Sequence, residues 1–162
     1  MATGFSPAFA QSSERIAQVN ERIAVSKMVA AARARAGAKW FYWIAGLSMV
    51  NSIVVFTGGN LHFVVGLGIT SAVDGLAKRV GGTGSVLDMI VNGFAAGVFI
   101  FLGIFALKSQ KWAFVLGMML YGVDGLLLLR LKDYLGVGFH AVALYCIYSG
   151  YRSAKQVQVI SV

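Results

Sequence analysis

A long apolar stretch covers residues 86–107 and constrains the fold of this chain more than any other feature. It reads VLDMIVNGFAAGVFIFLGIFAL, and a helix of that length matches the hydrocarbon thickness of a bilayer. Hydrophobic residues make up 58% of the chain and charged residues only 12%, whereas a soluble domain has roughly half and a quarter. Because the apolar excess is concentrated in long runs, the sequence predicts an all-α integral membrane protein.

Further apolar runs flank the central one and predict two helical hairpins, one on each side in sequence. The predicted spans are residues 40–56, 61–77, 86–107, 112–130 and 134–151, and residues 156–162 follow as a tail. The second run is the weakest because it is short and contains Thr70, Ser71 and Asp74. We therefore predict about five transmembrane helices, with four as the alternative if residues 61–77 do not cross.

The region before the first span is basic and shows helical spacing of its apolar residues. Residues 1–13 predict a flexible tail, and residues 14–39 predict an amphipathic helix with Ile16, Val19 and Ile23 on one stripe. This composition favours a helix that lies on, or rises from, a membrane surface with anionic headgroups. The alternative is a short coiled-coil contact with a partner protein.

Basic and aromatic residues beside the apolar runs predict the orientation in the membrane. The aromatic side chains predicted to anchor helix ends at the headgroup level are Trp40, Tyr42, Trp43 and Trp112. With the N-terminus in the cytoplasm, ten Lys and Arg residues lie inside and four outside, in the five-span and the four-span arrangement alike. The net charge of +8 thus favours anionic lipid over nucleic acid as a partner, and we predict the cytoplasmic membrane of a bacterium as the location.

Polar residues within the apolar runs are predicted to form one layer, because they fall at similar depths in their helices. The members of this predicted polar layer are Asp74, Asp88, Asn92, Asp124 and His140. In the four-span alternative the last four still share a layer. One hypothesis is a proton or cation site centred on Asp124, since ionisable groups in a membrane are costly and often functional. The other is structural, with the polar groups bonding neighbouring helices together.

Two glycines of the third predicted span and an asparagine of the first predict contacts between helices. Gly93 and Gly97 form a small-xxx-small pattern, which predicts a close helix contact within the fold or between copies. Asn51 is predicted to make an interhelical hydrogen bond. The text match to a dinucleotide fingerprint at residues 136–141 opens a membrane span rather than following a strand, so it predicts no cofactor. We find no catalytic or metal-binding pattern and predict a protein that is not an enzyme.

The function favoured by these patterns is that of a small accessory or scaffold subunit of a membrane complex. Its basic N-terminal helix would contact lipid headgroups, a membrane-protein partner or a second copy of the chain. The alternative is a small transporter or channel for protons, cations or another solute, which would use the predicted polar layer around Asp124.

Overall fold

Four α-helices make up the part of the chain that the computed structural model describes, which is residues 7–56 and 82–160. They are α1 (Pro7–Phe56), α2 (Gly82–Leu107), α3 (Lys111–Arg130) and α4 (Tyr134–Ile160). These two ranges contain no β-strand. The predicted all-α class is therefore confirmed for the described residues.

The helices pack side by side as an up-down-up-down bundle. Helix α1 packs against α2 and α4, and α3 packs against α4 and, more lightly, against α2. Gly37 lies against Gly150 while Trp40 contacts Phe139, so α1 and α4 run antiparallel. Tight turns between α2 and α3 and between α3 and α4 make each of those pairs antiparallel as well. Consequently α1 is also antiparallel to α2.

The turn between α3 and α4 sets the two helices side by side. Lys132 takes a left-handed backbone conformation (φ 62°) just after α3, and the N–H of Asp133 donates to the carbonyl of Leu128, as in a Schellman motif. Asp133 then caps α4, because its Oδ1 accepts the N–H of Gly136 at 3.0 Å. One residue thus closes α3 and begins α4, which leaves little freedom in how these helices meet.

Aromatic rings and glycines fill the centre of the bundle. Phe41 is buried and lies with its ring centroid 6.3 Å from that of Phe99 and 6.1 Å from that of Phe114. The closest approach of two helices is at Gly37 and Gly150, where a β-carbon on Gly37 would lie only 2.5 Å from the Cα of Gly150. Only glycine allows the backbones of α1 and α4 to come this close.

Helix α1 is continuous where the sequence suggested separate segments. The predicted amphipathic helix and first span form one helix, because nothing between them breaks the backbone hydrogen bonding. The predicted tail is also helical from Pro7 onward, since proline is tolerated in a first turn. The hydroxyls of Ser12 and Ser13, which lie at the boundary between the predicted tail and the predicted amphipathic helix, donate to carbonyls three residues earlier at 2.8 Å. They therefore lie inside α1 rather than at its cap.

Helix α4 also extends beyond its predicted end. It runs to Ile160 and so includes residues that were predicted as a tail after position 155. The amide Nε2 of Gln158 donates to the carbonyl of Ser109 at 3.1 Å, which ties the last turns of α4 to the turn between α2 and α3. This contact depends on the tertiary fold and has no local signature.

Two helical segments are long and apolar enough to cross a membrane: Met89–Leu107, which is part of α2, and Lys111–Arg130, which is α3. The predicted number of five spans is not confirmed, and the predicted span 61–77 lies outside the described residues. The antiparallel order of α1 and α2 brings Phe56 and Gly82 to the same end of the bundle. That is the arrangement expected from the four-span alternative.

The first part of α1 projects from the bundle. Every side chain from residue 8 to residue 29 is exposed, and burial begins at Ala30. We call residues 8–29 the arm; at 1.5 Å per residue it is about 33 Å long. Because the arm continues the helix axis of α1, it rises from the end of the bundle rather than turning across it.

Candidate functional site

Asp124 on α3 and His140 on α4 meet inside the bundle. The Nε2 atom of His140 lies 2.8 Å from Oδ2 of Asp124, and the two side chains are 2% and 7% exposed. On the other side of the ring, Nδ1 of His140 lies 2.9 Å from the carbonyl oxygen of Gly136. Two members of the predicted polar layer are thus in direct contact.

The hydrogen bonds of His140 restrict where its protons can be. A carbonyl oxygen only accepts, so Nδ1 must carry the proton that is donated to Gly136. The bond to Asp124 then has two forms: an imidazolium donating to a carboxylate, or a carboxylic acid donating to neutral Nε2. Both forms hold the same number of protons and have zero net charge. The pair can therefore be buried without leaving an unbalanced charge.

Tyr121 completes this cluster and was not among the predicted site residues. Its ring stacks on the His140 imidazole with centroids 4.0 Å apart and planes 11° apart, and its other side meets Phe99 edge-on at 5.9 Å. The sequence does contain a signal for it, since Tyr121 lies three residues before Asp124 and so shares its helix face. We call Tyr121, Asp124 and His140 the buried cluster.

Buried polar residues of α1 lie at the same height as the buried cluster. Measured along the helices from the contact of Gly37 with Gly150, Ser48 is about 16 Å away and His140 about 15 Å away. Ser48 and Asn51 are buried. Among the described residues, Ser48 Oγ and Asn51 Oδ1 have no hydrogen-bond partner, so the interhelical bond predicted for Asn51 is not made by that oxygen.

The other predicted members of the polar layer are only partly described. Asn92 is buried on α2. Asp88 lies one turn earlier on the same helix, but its side chain is outside the described part, and Asp74 lies outside the described residues altogether. The structure therefore brings Asp124 and His140 together. That Asp74 and Asp88 belong to the same layer stays a prediction.

A groove of about 320 Å³ runs between α2 and α3, which pack together more lightly than α1 with α2 or α3 with α4. Its described lining consists of Val91, Phe94, Ala95, Val98, Phe99, Leu120, Val123, Asp124 and Leu127. Asp124 is the single polar residue in that lining. An apolar groove favours acyl chains or apolar side chains over water and ions, so it is a poor route for a hydrated ion.

Gly93 and Gly97 have no close helix contact among the described residues. A β-carbon at either position would meet no atom within 4 Å there. A tight helix approach is found instead between Gly37 of α1 and Gly150 of α4. A contact of Gly93 and Gly97 with residues outside the described ranges, or between copies of the chain, stays a prediction.

The predicted aromatic anchors divide into two groups. Trp43 and Trp112 have exposed side chains, as a residue in contact with lipid headgroups would. Trp40 lies against Phe139 with ring centroids 6.2 Å apart, and Tyr42 lies close to Gly103. The last two residues thus contribute to packing within the bundle.

Basic side chains collect at one end of the bundle, which we call the basic end. It contains Arg33, Arg35, Lys39, Lys108, Lys111, Arg152 and Lys155, and the arm adds Arg15, Arg22 and Lys27. These residues meet at one end because α1 enters the bundle beside the turn between α2 and α3 and beside the last turns of α4. At the opposite end the described basic residues are Arg130 and Lys132.

The face of α1 that is buried in the bundle continues along the arm. Its residues recur every seven positions: Phe9, Ile16, Ile23, Ala30, Gly37, Ile44 and Asn51. We call these positions the α1 seam; each lies only about 20° around the helix from the next, because seven residues are close to two turns. The last four are buried, whereas the first three are exposed, so the α1 seam passes from the inside of the bundle to the surface of the arm.

Comparison of the chain with protein-family models, with curated proteins and with solved structures found no match. Within residues 7–56 and 82–160, no group of three His, Cys, Asp or Glu residues could hold a metal ion. The features of the described residues that bear on function are therefore the buried cluster, the basic end and the α1 seam.

Proposed function

We propose that this protein is a scaffold or accessory subunit of a membrane complex. In this proposal the four-helix bundle crosses the membrane and the arm binds a helix of a partner subunit. The observation that supports it most is the continuity of the α1 seam. The same stripe that packs α1 onto its own bundle extends three further heptads as exposed Phe9, Ile16 and Ile23, and an exposed apolar stripe on a helix is a typical surface for another helix.

The partner is a different protein rather than a second copy. In the seven-residue repeat of a helix pair, the second contact position of the arm lies four residues after each α1 seam position. These residues are Ser13, Asn20 and Lys27. In a parallel pair of identical arms, each Lys27 would face the Lys27 of the other copy, which is unfavourable. A helix with an acidic or neutral residue at that position would pair with the arm without this repulsion.

Two features support the bundle as a membrane anchor. Residues of α2 and α3 such as Phe94, Met119 and Leu126 expose large apolar side chains, which suits contact with lipid. The buried cluster is neutral as a pair, so it can hold α3 to α4 within an apolar layer. The basic end then lies on the cytoplasmic side, in keeping with the excess of Lys and Arg there, and the arm extends into the cytoplasm.

The experiment is native mass spectrometry of the protein after gentle extraction from its own membrane, with variants of the arm. Ile16→Asp and Ile23→Asp place a charge on the α1 seam. Val25→Asp is the matched control, because Val25 and Ile23 are almost equally exposed (48% and 47%) but lie about 200° apart around the helix.

We expect a stoichiometric partner with the wild-type chain and with Val25→Asp, and loss of that partner with both isoleucine variants. The proposal would be wrong if no heterologous partner is recovered with the wild-type chain, or if Val25→Asp removes it equally. Recovery of a homodimer alone would also contradict it.

A second candidate function is proton-coupled transport, which is supported by the hydrogen bond between Asp124 and His140 inside the bundle. A carboxylate bonded to a histidine holds a proton that can move between two sites. In liposomes containing the purified protein, Asp124→Asn would then abolish proton flux while the far-ultraviolet circular dichroism stays unchanged. Equal flux in wild-type and variant liposomes would exclude this function.

A further inference from the structure

A second cavity lies at the basic end, between α4 and the arm. This cleft has a volume of about 670 Å³, which is in the size range of small-ligand sites. Its polar lining residues are Ser26 on α1 and Tyr148, Tyr151, Arg152, Lys155 and Gln156 on α4, and Val159 and Ile160 complete the lining at the end of α4. The α4 residues share one helix face because they are three or four positions apart.

The charge of the cleft has a single sign. Arg152 and Lys155 contribute two cations, and the described lining includes no Asp or Glu. On α1, Arg22 and Arg33 lie four and seven residues from Ser26, so they share the face that Ser26 turns to the cleft. Such a site favours an anion, and a phosphate group can accept hydrogen bonds from guanidinium, ammonium and hydroxyl donors together.

One end of the cleft faces an apolar surface of the bundle. Phe114 contacts Gly150, and because α3 and α4 are antiparallel, Tyr148 is level with Leu116. Leu116 is exposed on a helix that is apolar enough to cross a membrane. The tyrosine end of the cleft therefore faces the apolar part of the bundle, whereas Arg152 and Lys155 lie nearer the basic end. This order matches an amphiphile with its headgroup toward the cations.

We infer that this cleft is a specific binding site for one anionic phospholipid, with the headgroup phosphate at Arg152 and Lys155 and an acyl chain beside Tyr148. Stabilisation of the helix dipole does not explain the two cations. That effect is confined to about the last turn of a helix, and α4 ends at Ile160, two turns beyond Arg152. The inference rests on the bundle crossing a membrane, as in the proposed function, and its two cations lie on α4 rather than on the arm.

The test uses the full chain in mixed nanodiscs of phosphatidylglycerol and phosphatidylcholine, followed by native mass spectrometry of the lipid that stays bound. Arg152→Gln with Lys155→Gln removes the two cations of the cleft. Lys108→Gln with Lys111→Gln is the matched control, because it makes the same change of charge at the same end of the bundle, in residues that do not line the cleft.

We expect one phosphatidylglycerol to be retained by the wild-type chain and by the control, and about tenfold weaker retention by the cleft variant, since two charge-assisted bonds are lost. Phosphatidylcholine should be retained equally weakly by all three. In a separate measurement that needs no variant, glycerol 3-phosphate should fail to displace the bound lipid from the wild-type chain.

Equal loss of phosphatidylglycerol in both double variants would show general attraction to a basic surface and would overturn the proposal. Equal retention in both would do the same. Displacement of the lipid by millimolar glycerol 3-phosphate would overturn the lipid assignment, because the ligand would then be a soluble phosphate ester.

Discussion

The two halves of α1 follow the same seven-residue spacing but lie in opposite environments. Ile44 in the bundle is 3% exposed and Ile23 in the arm is 47% exposed, although both are isoleucines at equivalent positions of one continuous helix. The spacing alone thus indicates which face of a helix can pack, whereas the other helices of the chain decide where that face is covered. In the proposed function, the exposed half is the surface that a partner helix covers.

The two halves of α1 also differ in the interactions that stabilise them. Residues 30–54 of α1 pack against glycine and aromatic residues of three other helices, while the arm depends on its own backbone hydrogen bonds and side-chain spacing. A substitution in the bundle half should therefore change the free energy of unfolding of the bundle, and the same substitution in the arm should not.

The largest effect is expected from removing one partner of the buried cluster. Asp124→Ala should lower the free energy of unfolding by about 4 kcal/mol, because it leaves His140 buried without its partner. Asp124→Asn should cost clearly less, since its amide can donate to neutral Nε2 of His140. Thermal unfolding in detergent micelles, followed by circular dichroism, measures both. Equal losses for the two variants would show that the hydrogen bond to His140 does not hold the bundle.

The direct comparison of the two halves uses one substitution at two positions. Ile44→Ala should destabilise the bundle by about 3 kcal/mol, because it leaves a cavity between packed helices. Ile23→Ala should change the free energy of unfolding by less than about 0.5 kcal/mol, since the side chain is already exposed. If Ile23→Ala is as costly as Ile44→Ala under the same unfolding conditions, the arm is packed against part of this chain and the proposed partner surface does not exist.

A smaller effect, with opposite signs at two sites, is expected from glycines of α1. Gly37→Ala should destabilise by about 2 kcal/mol, because the new methyl group would collide with the backbone of α4 at Gly150. Gly46→Ala should stabilise by up to about 1 kcal/mol, since that position has no neighbour within 4 Å among the described residues and alanine favours a helix. Chemical unfolding curves of the two variants in the same detergent would separate these outcomes.

The candidate site was partly predictable. The depth of Asp124 and His140 in their apolar runs placed them in one layer, because helical rise converts position in sequence into depth. Their hydrogen bond was not predictable, since it depends on the register that Asp133 sets between α3 and α4. Tyr121 was missed because an aromatic residue in an apolar helix looks like ordinary core. The packing expected for Gly93 and Gly97 is not seen among the described residues and stays a prediction, because a small-residue pattern does not say which helix faces it.

The sequence by itself determined the helical class, the main apolar helices and the basic character of the region before the first span. These follow from composition and from spacing along a single helix, which are local properties. Only the tertiary structure decided that α1 runs antiparallel to α2, that the basic residues of three distant segments gather at one end, and that the arm stands beyond the bundle. Those features depend on which seams of different helices pack together, and a spacing within one helix carries no information about its partner.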